Sequence, residues 1–181
     1  ALLRACGEPG FGWKIAATSA AGQQHIGVSG PLAGRLLASR RLASGDVVSL
    51  EGNSMRVAEA EFAFRMARDL PADPSGQPLS VDTVMSAVQA MHLAIEVPNS
   101  RLADFVHAGE AQLIADFACA CFVVIGEAVT ADWRALDLSQ HGVSVRRGND
   151  LVATGSGANV LGDPRLALTW LANELLSQGQ F

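Results

Sequence analysis

Glu59 and Glu61, one residue apart, and Glu96, inside the apolar run Leu93-Ala94-Ile95-Glu96-Val97, are the residues of this chain best suited to do chemistry. On a strand, positions i and i+2 point to the same face. Read as Val57-Ala58-Glu59-Ala60-Glu61-Phe62-Ala63-Phe64, the segment puts Ala58, Ala60, Phe62 and Phe64 on one side and both carboxylates on the other. A helix would splay the pair by about 200°. Three carboxylates meeting at a point repel one another unless a cation sits between them, and an all-oxygen ligand set favours a hard ion such as Mg²⁺ or Mn²⁺. The solvated face of an amphipathic strand accounts equally for Glu59 and Glu61 by spacing alone. Glu96 weighs against that reading, because an ionised acid in a buried run is costly without a partner.

The elements that must position these acids can be read in turn. Gly12 to Thr18 reads as a strand carrying Lys14, and Ala20 to Ala38 as a short helix followed by a loop around Gly30-Pro31. Asp46 to Leu50 is a further strand candidate, closed by the turn Glu51-Gly52-Asn53. The Glu59/Glu61 strand runs into a loop over residues 69–76. Ser80 caps a helix whose apolar positions Val81, Val84, Met85, Val88 and Met91 recur at helical spacing. The Glu96 strand ends at Pro98, and Cys119 to Ile125 reads as another buried strand. Gly142 to Thr154 is a hairpin turning at 147–150, and Asp163-Pro164 opens a last helix that stops before Gly179. Strands outnumber helices and alternate with them irregularly, which predicts mixed α+β.

At 181 residues, 49% hydrophobic and 17% charged, the chain can bury the core of a single domain. No apolar run approaches a membrane span and nothing resembles a signal peptide. A net charge of −5 argues against general nucleic-acid binding, with Arg40-Arg41 and Arg146-Arg147 read as solvated turns. Three cysteines are too few for a disulfide framework and fit a reducing cytosol; the four scattered histidines offer no zinc spacing. Gly155-Ser156-Gly157 meets neither the dinucleotide nor the Walker spacing and reads as a hairpin-to-helix connection, or as a flexible loop over a pocket. No serine elbow or triad histidine is in place.

Taken in order, Gly12-Trp13-Lys14-Ile15-Ala16-Ala17-Thr18-Ser19, Glu59-Ala60-Glu61, Glu96-Val97-Pro98-Asn99-Ser100-Arg101, Ile114-Ala115-Asp116 and Gly155-Ser156-Gly157 through Leu161-Gly162 resemble the fumarylacetoacetate hydrolase superfamily. Within it they are most similar to the branch of 2-oxopent-4-enoate hydratases and 4-oxalocrotonate decarboxylases. The resemblance implies a mixed β-sheet roll or sandwich of the superfamily's C-terminal type with a few peripheral helices. It also implies a single catalytic-type domain over 1–181, incomplete at both ends relative to the family. It makes Glu59, Glu61 and Glu96 ligands of Mg²⁺ or Mn²⁺, and Lys14 the active-site lysine. Asp116, Ser156, Ser39 and Cys119 become pocket residues. The last two depart from the family pattern, which has an acid where Ser39 stands and Asn-Ala-Ser where this chain reads Phe117-Ala118-Cys119.

The activity so implied is a metal-dependent lyase that hydrates or decarboxylates a 2-oxo-enoic acid in aromatic catabolism, in the cytoplasm. The implied partners are the small-molecule acid itself and further copies of the chain or a related lyase subunit. A desolvated Lys14 beside a cation is expected to have its pKa lowered towards neutrality, which suits proton transfer; alone, it would read as an edge-strand lysine. A C–C bond hydrolase of an acylpyruvate and a weakly active assembly subunit are the alternatives. The first lacks an evident His/Glu base, and the second rests on Ser39 and Cys119.

Overall fold

The computed structural model describes residues 7–71 and 75–180, so residues 72–74 of the expected loop lie outside the described residues. Eight strands and four helices are formed among them, in three sheets. β1 (Gly10–Ala16) pairs antiparallel with β2 (Leu32–Leu37), with Lys14 opposite Gly34 and Trp13 opposite Arg35. Helix α1 (Ala20–Ile26) connects them; Ser19 accepts from Gly22 N at its start, and Gly27 closes it at φ 66°. A four-stranded sheet has the order β3 (Arg41–Ala43), β6 (Phe122–Ala128), β5 (Val88–Val97), β4 (Glu59–Met66), with β3 and β6 parallel. Helix α2 (Val81–Ser86) precedes β5 and α3 (Glu110–Ala115) precedes β6. β7 (Gly142–Arg147) and β8 (Asp150–Ser156) form the expected hairpin, and α4 (Pro164–Ser177) starts from an Asp163 cap.

The chain forms two compact units, 1–61 with 93–127 and 62–92 with 128–181. In the first, Leu32, Leu113, Ala118 and Cys119 are buried with Ile26, Val28, Met55 and Phe105 around them. In the second, Val88, Met91, Trp133 and Leu138 gather Phe62, Phe64, Met66 and Leu168. There the Arg165 guanidinium donates to the carbonyls of Trp133, Arg134 and Leu136, fixing the loop that delivers Trp133 and Leu138. Among the described residues no helix is long and apolar enough to cross a membrane.

Four expectations are corrected. Residues 32–37, read as loop, are β2. Asp46 to Leu50 is not a strand, because the Asp46 carboxylate accepts from Ala43 N and bends the chain into a turn, leaving Val47 91% exposed. The helix after Ser80 stops at Ser86. Val88 and Met91 fall on its apolar repeat by coincidence and belong to β5, where cross-strand pairing overrides the periodicity. The strand expected from Cys119 begins only at Phe122, since Phe117 to Cys119 form a tight turn.

Core identity should matter far more than hydrophobicity in general. Leu113→Ala, at a position 1% exposed, is expected to cost about 2–5 kcal/mol. Leu151→Ala, 54% exposed on the hairpin, should change stability by less than about 0.5 kcal/mol. Urea titration of the two variants checks the contrast.

Candidate metal centre

Local strand geometry delivers the acids. In β4, Glu59 and Glu61 occupy alternate positions, and in β5 Glu96 shares a face with Ala94. That face of β5 is the buried one: Glu96 is 2% exposed, whereas its neighbours Leu93 and Ile95 are 55% and 48% exposed. The usual binary pattern is therefore inverted at the end of this strand. Carboxylate oxygens of Glu59, Glu61 and Glu96 all lie within 4.8 Å of one another. All three belong to the first unit, as does Lys14.

Lys14 Nζ lies 3.2 Å from Glu96 Oε2 and donates to the Ala118 carbonyl at 3.2 Å. The electrostatics of the group are lopsided, with three acids around one ammonium. Burial raises the Glu61 carboxyl from its ordinary 4.5 to about 8, and the Glu96 charge adds to the rise against the pull of Lys14. Glu96 is also raised, by burial first, with Lys14 opposing. Burial alone would lower Lys14, but the charges of Glu96, Glu59 and Glu61 outweigh it and hold the ammonium above its ordinary 10.5. The expected drop towards neutrality is thus absent in the metal-free chain, because every nearby charge is an anion.

The residues fit a hard divalent ion. Glu96 Oε1 is buried with no hydrogen-bond partner, an arrangement that costs free energy unless something cationic meets it. The donors are all carboxylate oxygens, the set that suits Mg²⁺ or Mn²⁺.

Lys14 is held by an unusual backbone. Phe117, Ala118 and Cys119 have φ of 52°, 49° and 62°, three successive non-glycine residues in left-handed space. Each costs roughly 1–2 kcal/mol, so the surroundings must impose the turn. Asp116 does so from one side. Its buried carboxylate accepts from the Ser100 hydroxyl and from the backbone N and Nε of Arg101, while its carbonyl accepts from the Arg101 guanidinium and from Cys119 N. Gly34 does so from the other. A Cβ there would sit 2.1 Å from the Phe117 carbonyl oxygen, so only glycine lets β2 approach the turn.

The remaining candidates separate. Asp116 is buried, and its carboxylate is engaged by Ser100 and Arg101 as the anchor of this turn. Cys119 is buried beside Ser100 and feels the charges of Asp116 and Lys14, with burial raising its thiol. Ser39 is exposed beyond the Gly10 end of the β1–β2 ribbon, five positions along from the Lys14 row, and its hydroxyl donates to Glu8. Ser156 belongs to the second unit, where its N–H donates to Asn159 Oδ1 as β8 turns into a short 3₁₀ segment. The sequence reading missed Gly34, Ser100 and the Ala118 carbonyl. No residue type signals a left-handed turn at Phe-Ala-Cys, although Gly34, between Ala33 and Arg35 inside a strand, marks a close backbone approach.

An α+β chain with an all-carboxylate cluster and a lysine in its first unit is the class that fold and site define. No family model matches it. Among curated proteins it is 33% identical over 169 residues to a 2-keto-4-pentenoate hydratase of Paraburkholderia xenovorans, covering 93% of this chain and 61% of that protein. It is 32% identical over 172 residues to a 2-hydroxypent-2,4-dienoate hydratase of Pseudomonas putida, covering 94% and 75%. Among solved structures, the 4-oxalocrotonate decarboxylase of Pseudomonas putida G7, complexed with magnesium and adipate, superposes with a TM-score of 0.80 at 26% identity, over 97% of this chain and 65% of that one. The chain belongs to the fumarylacetoacetate hydrolase superfamily, in the branch of the 2-keto-4-pentenoate hydratases and 4-oxalocrotonate decarboxylases. It spans 61% of the length of the first of these relatives.

Two predictions follow from the geometry. The folded chain keeps a proton on Glu61 that the unfolded chain releases near pH 4.5, so this contribution to stability is present below about 4.5 and lost by about 8. In EDTA the melting temperature should fall between pH 5 and pH 8, each kcal/mol being worth about 2–4 °C; Mg²⁺ or Mn²⁺ should flatten or reverse the trend. Gly34→Ala should push the Phe117 carbonyl away and weaken Mn²⁺ binding in calorimetry. Gly12→Ala, whose Cβ would meet only Leu36 Cδ1 at 3.7 Å, should leave binding unchanged.

Proposed function

We propose that this chain is the catalytic core of a metal-dependent lyase acting on a 2-oxo-enoic acid, by hydration of a 2-oxopent-4-enoate or decarboxylation of a 4-oxalocrotonate-like acid. The observation that carries the reading is the meeting of Glu59, Glu61 and Glu96 within 4.8 Å, with Lys14 against Glu96. The hydratase relatives and the magnesium-bound decarboxylase support it.

In this reading the three glutamates hold one Mg²⁺ or Mn²⁺, which when bound supplies Lewis-acid polarisation of the substrate's carboxylate and ketone oxygens. Lys14 is the proton-handling group. Two of its three donors go to Glu96 and Ala118, leaving a third for the substrate. Its side chain is 10% exposed, so bulk water does not compete for the proton. Offsetting the glutamate charges removes what holds the ammonium up and leaves burial to lower it, towards a range where it can both give and accept. Asp116 and Gly34 keep Lys14 in place through the Ala118 carbonyl. Cys119, beside this assembly, puts a weakly hydrogen-bonding thiol where a hydroxyl would serve water better. Proton exchange and decarboxylation are therefore favoured over water addition. The reading includes assembly with copies of the chain or with a related lyase subunit, as the family resemblance implies.

The test is turnover of a small panel of 2-oxo-enoic acids by the purified chain, with EDTA, Mg²⁺ or Mn²⁺. Activity should appear only with the ion. Glu61→Gln and Lys14→Met should each lower it by at least about 10²-fold with the fold intact, the lower end for a positioned proton-transfer group. Cys119→Ser should raise hydration relative to decarboxylation, whereas Ser39→Asp, at the far end of the ribbon, should not. Metal-independent turnover, or full activity in Glu61→Gln, would sink the assignment.

A further inference from the structure

Within the first unit, a cavity of about 330 Å³ is lined by Arg35 and Leu37, on the face of the β1–β2 ribbon that does not carry Lys14, and by Phe117 of the turn packed against the ribbon. The faces follow from the register: Lys14 pairs with Gly34 on one, and Trp13 pairs with Arg35 on the other. Arg35, Arg40 and Arg101 all line the cavity. Arg101 is spent on Asp116 and on the Ala120 carbonyl. Arg35 and Arg40 are not. Among the described residues neither makes an ion pair, and each guanidinium instead lies over an aromatic ring, Arg35 over Trp13 at 4.6 Å and Arg40 over Phe122 at 4.8 Å. Arg35 is also pressed onto the Gly10 backbone, with its Nε buried and unpartnered, so burial has already removed part of its water.

Glu51 is the one acid among the lining residues, leaving two uncommitted guanidinium groups against one carboxylate. The rest of the wall is mixed, with Ser49, Asn53 and Asn99 polar and Leu37, Phe117, Ala120 and Phe122 forming an apolar part. Stacking on a ring fixes a guanidinium plane and leaves its edge of N–H donors for an oxyanion. A bare phosphate would satisfy the arginines but leave Leu37, Phe117, Ala120 and Phe122 without an apolar partner. We propose that this cavity binds a small carboxylate with an apolar body, of the aromatic-acid class, at a site separate from the acidic cluster. Phe117 and Ala120 flank the turn whose Ala118 carbonyl holds Lys14, so an occupant also touches that turn.

Calorimetric titration of the full chain with benzoate in EDTA tests the site with no divalent ion present, and so independently of the metal reading. Saturable binding is expected, with benzamide and inorganic phosphate each weaker by about tenfold or more, the worth of one charge-assisted hydrogen bond. Arg40→Gln, at an exposed position that leaves the fold alone, should weaken benzoate by a similar factor, and Glu51→Gln should tighten it. Bound benzoate should also raise the melting temperature. No saturable binding, equal affinity for phosphate or benzamide, or unchanged affinity in Arg40→Gln would overturn the proposal. Loss of benzoate binding in Glu61→Gln with Arg40→Gln unaffected would overturn it too, by moving the ligand to the acidic cluster.

Discussion

Crowding of like charge governs this molecule. Three glutamate side chains occupy one small volume, and a single lysine, itself nearly buried, offsets them. Burying a carboxylate is expensive and Coulomb repulsion from Glu96 adds to the cost; in the bare chain protonation relieves both, which is why Glu61 rises to about 8. A protein under selection for stability alone would place alanine or valine at Glu96, whose neighbours are otherwise apolar. The fold tolerates the cost because its strands are paired elsewhere and its two cores are packed independently of these side chains.

The lysine's placement depends on a second cost. A left-handed turn of three side-chain-bearing residues aims the Ala118 carbonyl at Nζ, and it survives because Asp116, Ser100 and Arg101 clamp one end while the bare Cα of Gly34 admits the other. Strain stored beside a candidate active centre is a common pattern, since positions that over-determine a side chain are the ones that can orient a proton. The buried Asp116 carboxylate is taken up by Ser100 and Arg101 in holding that turn.

How much of this is legible in the amino-acid order depends on the range of the interaction. Glu59 and Glu61 declare themselves because strand alternation is a local rule, and Glu96 because an acid in an apolar run is conspicuous. The hairpin and the caps at Ser80 and Asp163 are also local, and the structure forms them as read. Misreadings arise where local pattern and pairing conflict. Val88 and Met91 continue a helical repeat that β5 ends, and Asp46 folds its carboxylate back on Ala43 inside an apparently strand-like run. Ser39 illustrates a different failure, since its place in the family pattern says nothing of the ribbon end on which it sits. The stacking of Arg35 and Arg40 on aromatic rings joins residues far apart in sequence, and no spacing rule reaches that far.

The inverted end of β5 has a consequence for how the chain finds its pairing. Sliding this stretch by one residue would turn Leu93 and Ile95 inward and send Glu96 to water, an exchange that hydrophobicity favours. The native alignment is defended by shape: a Cβ on Gly126 would lie 2.9 Å from the Leu93 carbonyl, so the two backbones meet closely at one place. A cation that gathers Glu96 with Glu59 and Glu61 would recognise only this alignment. Gathering the three carboxylates and aligning the strand would then be one requirement, since both need Glu96 on the inward face.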